Sequence, residues 1–216
     1  MTIKTSFGSV FVKGHHRVSQ LDGESCPHAA FATIAQPFKQ LNVASLVRIT
    51  NRMKVNYKRD DLGPHHLAYL QQRVLPKNRL FAHRNTTPMD FWGFFSLGRA
   101  VIIECQGFEY ALGYKDLPLS PAANAGHYLV GYGLDWNTRT IHCHNPARNS
   151  EDPFLVTFEG LERRHFDLNR HENWRQEYIN GYDVGLVMML AAPGEDLIFQ
   201  NMNCFPASRY PWGETD

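Results

Sequence analysis

"QLDGESCPHAAFATIAQPF", residues Gln20–Phe38, decides how this 216-residue chain is read. Ala29, Ala30, Ala32 and Ala35 favour a helix, and the spacing predicts one over residues 26–36 in which Ala30, Ile34 and Phe38 share a face. Pro27 suits the first helical position, where its missing N–H costs nothing. Cys26 then sits at or beside the N-cap, where the positive end of the helix macrodipole favours the thiolate. A thiol so placed is either a buried cap or a nucleophile, and the rest of the chain has to choose.

Hydrophobic residues make up 43% and charged residues 20% of the chain, enough apolar side chains for one proper core. A net charge of +1 gives no reason to expect nucleic acid, an anionic membrane or a polyacidic partner. "MTIKTSFGSVFVKGHH" has no apolar signal core, and the longest apolar stretch, around "VGLVMMLAAP", is too short for a membrane span. Cys26, Cys105, Cys143 and Cys204 are scattered with no CxxC, which reads as reduced thiols in the cytoplasm or another reducing compartment. Cys105, in "RAVIIECQGF", fits a buried strand.

Further helices are expected in "NVASLVRITNRMK", in "DDLGPHHLAYLQQRVL" and in "TTPMDFWGFFSLGRA", the last capped by Thr86 or Thr87 with Asp90 in its first turn and closed by Gly98. The period then changes. "AVIIECQ", "GHYLVGYGLD", "TRTIHCHN", "PFLVTFEG" and "YDVGLVMML" read as strands. The expected fold class is α+β: a mainly helical half, residues 1–98, packed on an antiparallel sheet from residues 99–190, in one domain spanning 1–216. Residues 147–182 are highly charged, with "LNRHENWRQEYI" a candidate helix, and the tail 191–216, rich in proline and aromatics, is expected to wrap the surface.

Thiol chemistry needs a base, and the base needs a group to hold its tautomer. "AGHYLVGYG" puts His127 at the start of a strand, and "TRTIHCHNPA" puts Asn145 at the end of the next. A hairpin through "DWNTRT" brings those two strand ends to the same edge, as hydrogen-bond partners.

Gln20, Cys26, His127 and Asn145, in that order, resemble the constellation of papain-like cysteine peptidases, and more closely the bacterial and phage C39-like peptidases. The matching stretches are "QLDGESCPHAA", "LGRAVIIE", "GHYLVGYGLD" and "HNPA", and the resemblance spans residues 15–190. It implies a papain-like fold with Cys26 as nucleophile, His127 as general base and then acid, and Asn145 as the group orienting the imidazole. It also implies an oxyanion hole from Gln20 and the Cys26 N–H. "CPHAA" stands where those relatives carry "CGPAA", and Asn145 where they usually carry Asp. A thiolate–imidazolium resting pair is expected from Cys26 at a helix start beside His127, with the imidazole pKa raised above about 6.5.

Each residue alone has a plainer reading: Cys26 a capping thiol, His127 a strand histidine, Asn145 a turn initiator before Pro146, and Gln20 nothing in particular. Together they favour a thiol hydrolase of a peptide, isopeptide or related amide bond, with a peptide or protein substrate and no cofactor or metal. The alternative is a papain-like scaffold without catalysis, such as a phage virion component or a secreted effector, with an assembly partner that holds the tail. His142 and His144 could bind metal, but no third ligand stands at metal spacing, so the pair reads as a solvated strand face. His15, His16, His65 and His66 read as loop or helix-surface residues.

Overall fold

The computed structural model describes residues 8–53, 62–106, 126–147, 153–164 and 185–209. Its antiparallel sheet draws on both halves of the chain. Among the described residues the strands are β1 (Ser9–Phe11), β2 (Arg79–His83), β3 (Val101–Gln106), β4 (Gly126–Asp135), β5 (Thr140–His144), β6 (Phe154–Thr157), β7 (Val187–Ala191) and β8 (Phe205–Pro206). They run in the order β6-β5-β4-β3-β7-β2-β8, with β1 added to β4. Among the same residues the α-helices are α1 (Cys26–Ala35), α2 (Val43–Arg52), α3 (Pro64–Val74), α4 (Pro88–Ser96), α5 (Phe158–Arg164) and α6 (Asp196–Asn201).

The α+β class holds, with three departures from the expected segregation. β2, the "RLFAH" of the helical half, enters the sheet between β7 and β8. "PFLVTFEG" is a strand only as far as Thr157, where the chain turns directly into α5. The tail supplies α6 and β8 as well as surface chain, and β8 pairs with β2 through Phe81↔Pro206 and Ala82↔Phe205. The candidate helix "LNRHENWRQEYI" lies outside the described residues.

Strand alternation sorts the core into two faces. Ile102, Tyr128, Val130, Met188, Leu190, Leu80 and Ala82 face the buried residues of α1, α2 and α3. Val101, Ile103, Cys105, Leu129, Val187, Met189 and Phe81 face Phe91, Phe94 and Phe95 of α4 and Phe199 of α6. Helices therefore cover the sheet on both sides. α1 shows no amphipathic stripe: all ten of its residues are buried, which is how a helix reads when it is enclosed by the core. The single face predicted for Ala30, Ile34 and Phe38 is thus too narrow a description.

Local sequence explains the element ends that matter for the site. The Asn42 side chain accepts from Ser45 N at 3.2 Å and opens α2. Thr87 and Asp90 form a capping box at the start of α4, and Gly98 leaves it at φ +70°. β4 is the spine of the sheet. Its first half pairs with β3 from Val101↔Gly131 to Gln106↔Gly126, and its second half pairs with β1 at Gly133–Asp135. A Cβ on Gly133 would lie 2.1 Å from the Phe11 ring, so β1 can lie across β4 only over a glycine.

Candidate active site

Cys26 is the first residue of α1, with Ser25 as the N-cap and Pro27 in the first turn. The expected start at residue 26, with Cys26 beside the N-cap, holds; only Pro27 moves, from the first helical position to the second. Ser25 makes no side-chain cap to the helix. Its hydroxyl accepts instead from Leu21 N at 2.8 Å and Asp22 N at 3.1 Å, tightening residues 20–25 into a compact turn. Cys26 is 5% exposed, at the point where the helix dipole is most positive.

The same turn is tied to the end of β5. Gln20 N donates to Pro146 O at 3.2 Å, one residue past Asn145. The Gln20 side chain donates one N–H from Nε2 to Asp22 O at 2.7 Å, which leaves it a second N–H, and its Oε1 is buried without a partner. On the other side of the turn, α1 packs against β4, the strand that carries His127.

His127 and Asn145 are hydrogen-bond partners, as the hairpin predicts: His127 Nε2 lies 2.9 Å from Asn145 Oδ1. The tautomer follows from a third group. Ala147 N donates to the same Asn145 Oδ1 at 3.0 Å. A backbone N–H needs an acceptor, so the atom between them is the amide oxygen, and Asn145 cannot be flipped. Nε2 of His127 must then be the donor, and Nδ1 is the nitrogen with the lone pair. Asn145 thereby fixes the tautomer that leaves the lone pair on Nδ1, and Ala147 N–H holds the Asn145 amide in place.

Both residues are buried, His127 to 2% exposure and Asn145 to 3%. Burial lowers the His127 pKa to about 4, against a smaller opposite pull from the Asn145 hydrogen bond. The resting imidazole is neutral at neutral pH. This replaces the expected imidazolium: loss of water around the ring outweighs the groups that favour its charge.

His28, which stands where the C39-like pattern carries proline, has a structural part. It is fully buried on α1, and its Nε2 meets Thr50 Oγ1 of α2 at 2.9 Å. Thr50 spends its own proton on Leu46 O at 3.2 Å, so His28 Nε2 is the donor. Burial lowers its pKa to about 4. Unfolded, both histidines titrate near 6.5, so between pH 6.5 and 4 the unfolded chain takes up protons that the folded chain refuses. Their stabilising effect is complete above pH 6.5 and is lost as pH falls toward 4, by on the order of 3 kcal/mol each at most. Urea unfolding at pH 7.5 and 4.5 should register this loss, and His28→Gln should reduce it; a flat profile would contradict the buried, neutral state of both rings.

Of the other thiols, Cys105 stands opposite His127 across β3 and β4 and donates from Sγ to the His127 carbonyl oxygen at 3.2 Å, while the remaining described histidines singled out from sequence serve other parts of the fold. His144 stacks on Tyr132 with centroids 4.3 Å apart, and His142 meets Phe11 edge-on at 4.9 Å, so the strand face is an aromatic one and not simply solvated. His15 is half-buried with Nδ1 3.1 Å from Thr33 O, and His66 Nδ1 accepts from Gly63 N at the start of α3, so neither is plain surface. Among the described residues no three metal-ligating side chains gather, and no helix is long and apolar enough to cross a membrane. Burial pushes the Cys143 thiol far up and the Cys204 thiol up to about 12, which marks both as inert.

No family model matches the chain, and no curated protein matches it. Among solved structures, a "C39-like peptidase" from Bacillus anthracis superposes with a TM-score of 0.56 at 14% identity, covering 86% of this chain and 98% of that one. The peptidase domain of Streptococcus ComA, a bi-functional ABC transporter involved in a quorum-sensing pathway, reaches a TM-score of 0.48 at 14% identity, over 83% of this chain and 99% of that domain. A helix that opens on a cysteine, packed on an antiparallel sheet, and the first of these superpositions give the chain the papain-like fold in its C39-like form.

Proposed function

We propose that the chain is a papain-like thiol hydrolase that opens a peptide, isopeptide or related amide bond through an acyl-enzyme on Cys26. The observation that carries this reading is the fixed tautomer of His127, with Nε2–H committed to an asparagine oxygen that Ala147 N–H also holds. In the proposed reaction Nδ1 takes the Cys26 proton as Sγ attacks the carbonyl carbon. The negative oxygen is met by the second Nε2 N–H of Gln20 and the Cys26 backbone N–H. His127 returns the proton to the amine as the C–N bond breaks. Water, deprotonated by the same nitrogen, then cleaves the thioester and releases the thiol. A neutral resting imidazole suits this role, since it accepts a proton at neutral pH without first losing one.

Amine release from a panel of peptides and isopeptides tests the reading, with Gln20→Ala as the diagnostic variant. Turnover should fall by about 10²–10³-fold with KM little changed, because a hole donor acts mainly in the transition state. A pure KM effect would place Gln20 in substrate contact instead. Asn145→Ala should cost less than loss of His127, since orienting a base contributes less than being one. Asn145→Asp should be tolerated, because a carboxylate oxygen can accept from both His127 and Ala147 N. Total loss in Asn145→Asp would show that Asn145 serves the turn and not the imidazole.

A further inference from the structure

Glu104 is a carboxyl group that this chemistry does not use. It stands on β3 opposite Tyr128 of β4, one residue past His127, and is 3% exposed. The Tyr128 hydroxyl lies 2.7 Å from Glu104 Oε1 and 2.8 Å from the carbonyl oxygen of Leu62. A phenol has one proton, and a carbonyl oxygen can only accept. Tyr128 therefore donates to Leu62, and the contact with Glu104 needs a proton from the acid. An ionised Glu104 would leave three oxygens sharing one proton at two normal hydrogen-bond distances. Burial acts in the same direction, since it disfavours the carboxylate.

We infer that Glu104 is held as the neutral acid and, through Tyr128, is a positioning residue for His127. The chain runs from Glu104 Oε1–H to Tyr128 Oη–H to Leu62 O. It fixes the start of β4 against Leu62, which leads into Gly63, the N-cap of α3. The positioning role rests on the proposed catalytic reading, whereas the protonation state does not.

Infrared difference spectra at pH 7 between the wild-type protein and Glu104→Gln decide the protonation state. A protonated-carboxyl band present in the wild type and absent in the variant is expected. Without that band Glu104 is ionised and the inference fails. Positioning is read from the rate at which iodoacetamide labels Cys26, with Cys204, of similar exposure at 6%, as the internal reference. The glutamine amide can donate to Tyr128 as the acid does, so Glu104→Gln should label near the wild-type rate. Tyr128→Phe cuts the chain and should slow Cys26 labelling about tenfold. General loosening of the fold would speed Cys204 instead, and with an unchanged Cys26 rate it would overturn the positioning role. Failure of the catalytic reading is separately visible: wild-type Cys26 would label no faster than Cys204 while the carboxyl band remained, which removes the positioning role and keeps the neutral acid.

Discussion

Replacing Cys26 with alanine is expected to abolish amide hydrolysis, by on the order of 10⁴-fold or more, because no acyl-enzyme can form without the thiol. The fold should survive. Alanine is a good helix former, and the first position of α1 owes nothing to a side-chain cap, since Ser25 is turned into the preceding loop. Thermal unfolding of Cys26→Ala should therefore fall close to that of the wild type. Residual turnover at the wild-type level would remove Cys26 from the chemistry altogether.

His127→Ala is expected to have the next largest effect, about 10²–10⁴-fold in turnover, the usual contribution of a positioned base. This variant also empties a site only 2% exposed, which costs stability in its own right. His127→Gln separates the two effects. Its amide can still donate to Asn145 Oδ1, and Asn145 remains held by Ala147 N, so packing is largely kept while the base is lost. Equal loss of turnover in both variants, with only His127→Ala unfolding earlier, is the expected pattern. The pH profile carries a further expectation. With the imidazole pKa lowered to about 4, the base is ready throughout the neutral range, and turnover should not decline above neutrality through loss of an imidazolium proton. A bell with an alkaline limb set by His127 would instead indicate the ion pair expected from sequence.

The parts of this fold that could be read from sequence are those carried by local signals. Alanines after Cys26, the Thr87–Asp90 capping box and the "DWNTRT" turn each mark an element without help from the rest of the chain. The hairpin then placed His127 and Asn145 together, because strand ends joined by a short turn must meet. β2 was missed for the opposite reason. "RLFAH" is five residues long with no apolar–polar alternation, since both of its faces are buried, Leu80 and Ala82 against one core cluster and Phe81 against the other, and only its neighbours β7 and β8 make it a strand. His28 pairs with Thr50, a contact across 22 positions that no periodicity reveals. The charge state of His127 was misread because neighbouring groups can be inferred from sequence, whereas the depth of burial that dominates here cannot.

Labelling with iodoacetamide, followed by mapping of the modified residue in the wild type and in His127→Gln, decides whether Cys26 is an activated thiol. Cys26 and Cys204 are similarly buried, at 5% and 6% exposure, so access does not separate them, and Cys204 is the slow reference because burial holds its thiol up at about 12. Cys26 should be modified well ahead of Cys204, Cys105 and Cys143, and its own rate should fall when His127 is replaced. Labelling of Cys26 no faster than Cys204, or a Cys26 rate untouched by loss of His127, would leave a papain-like scaffold without a working thiol.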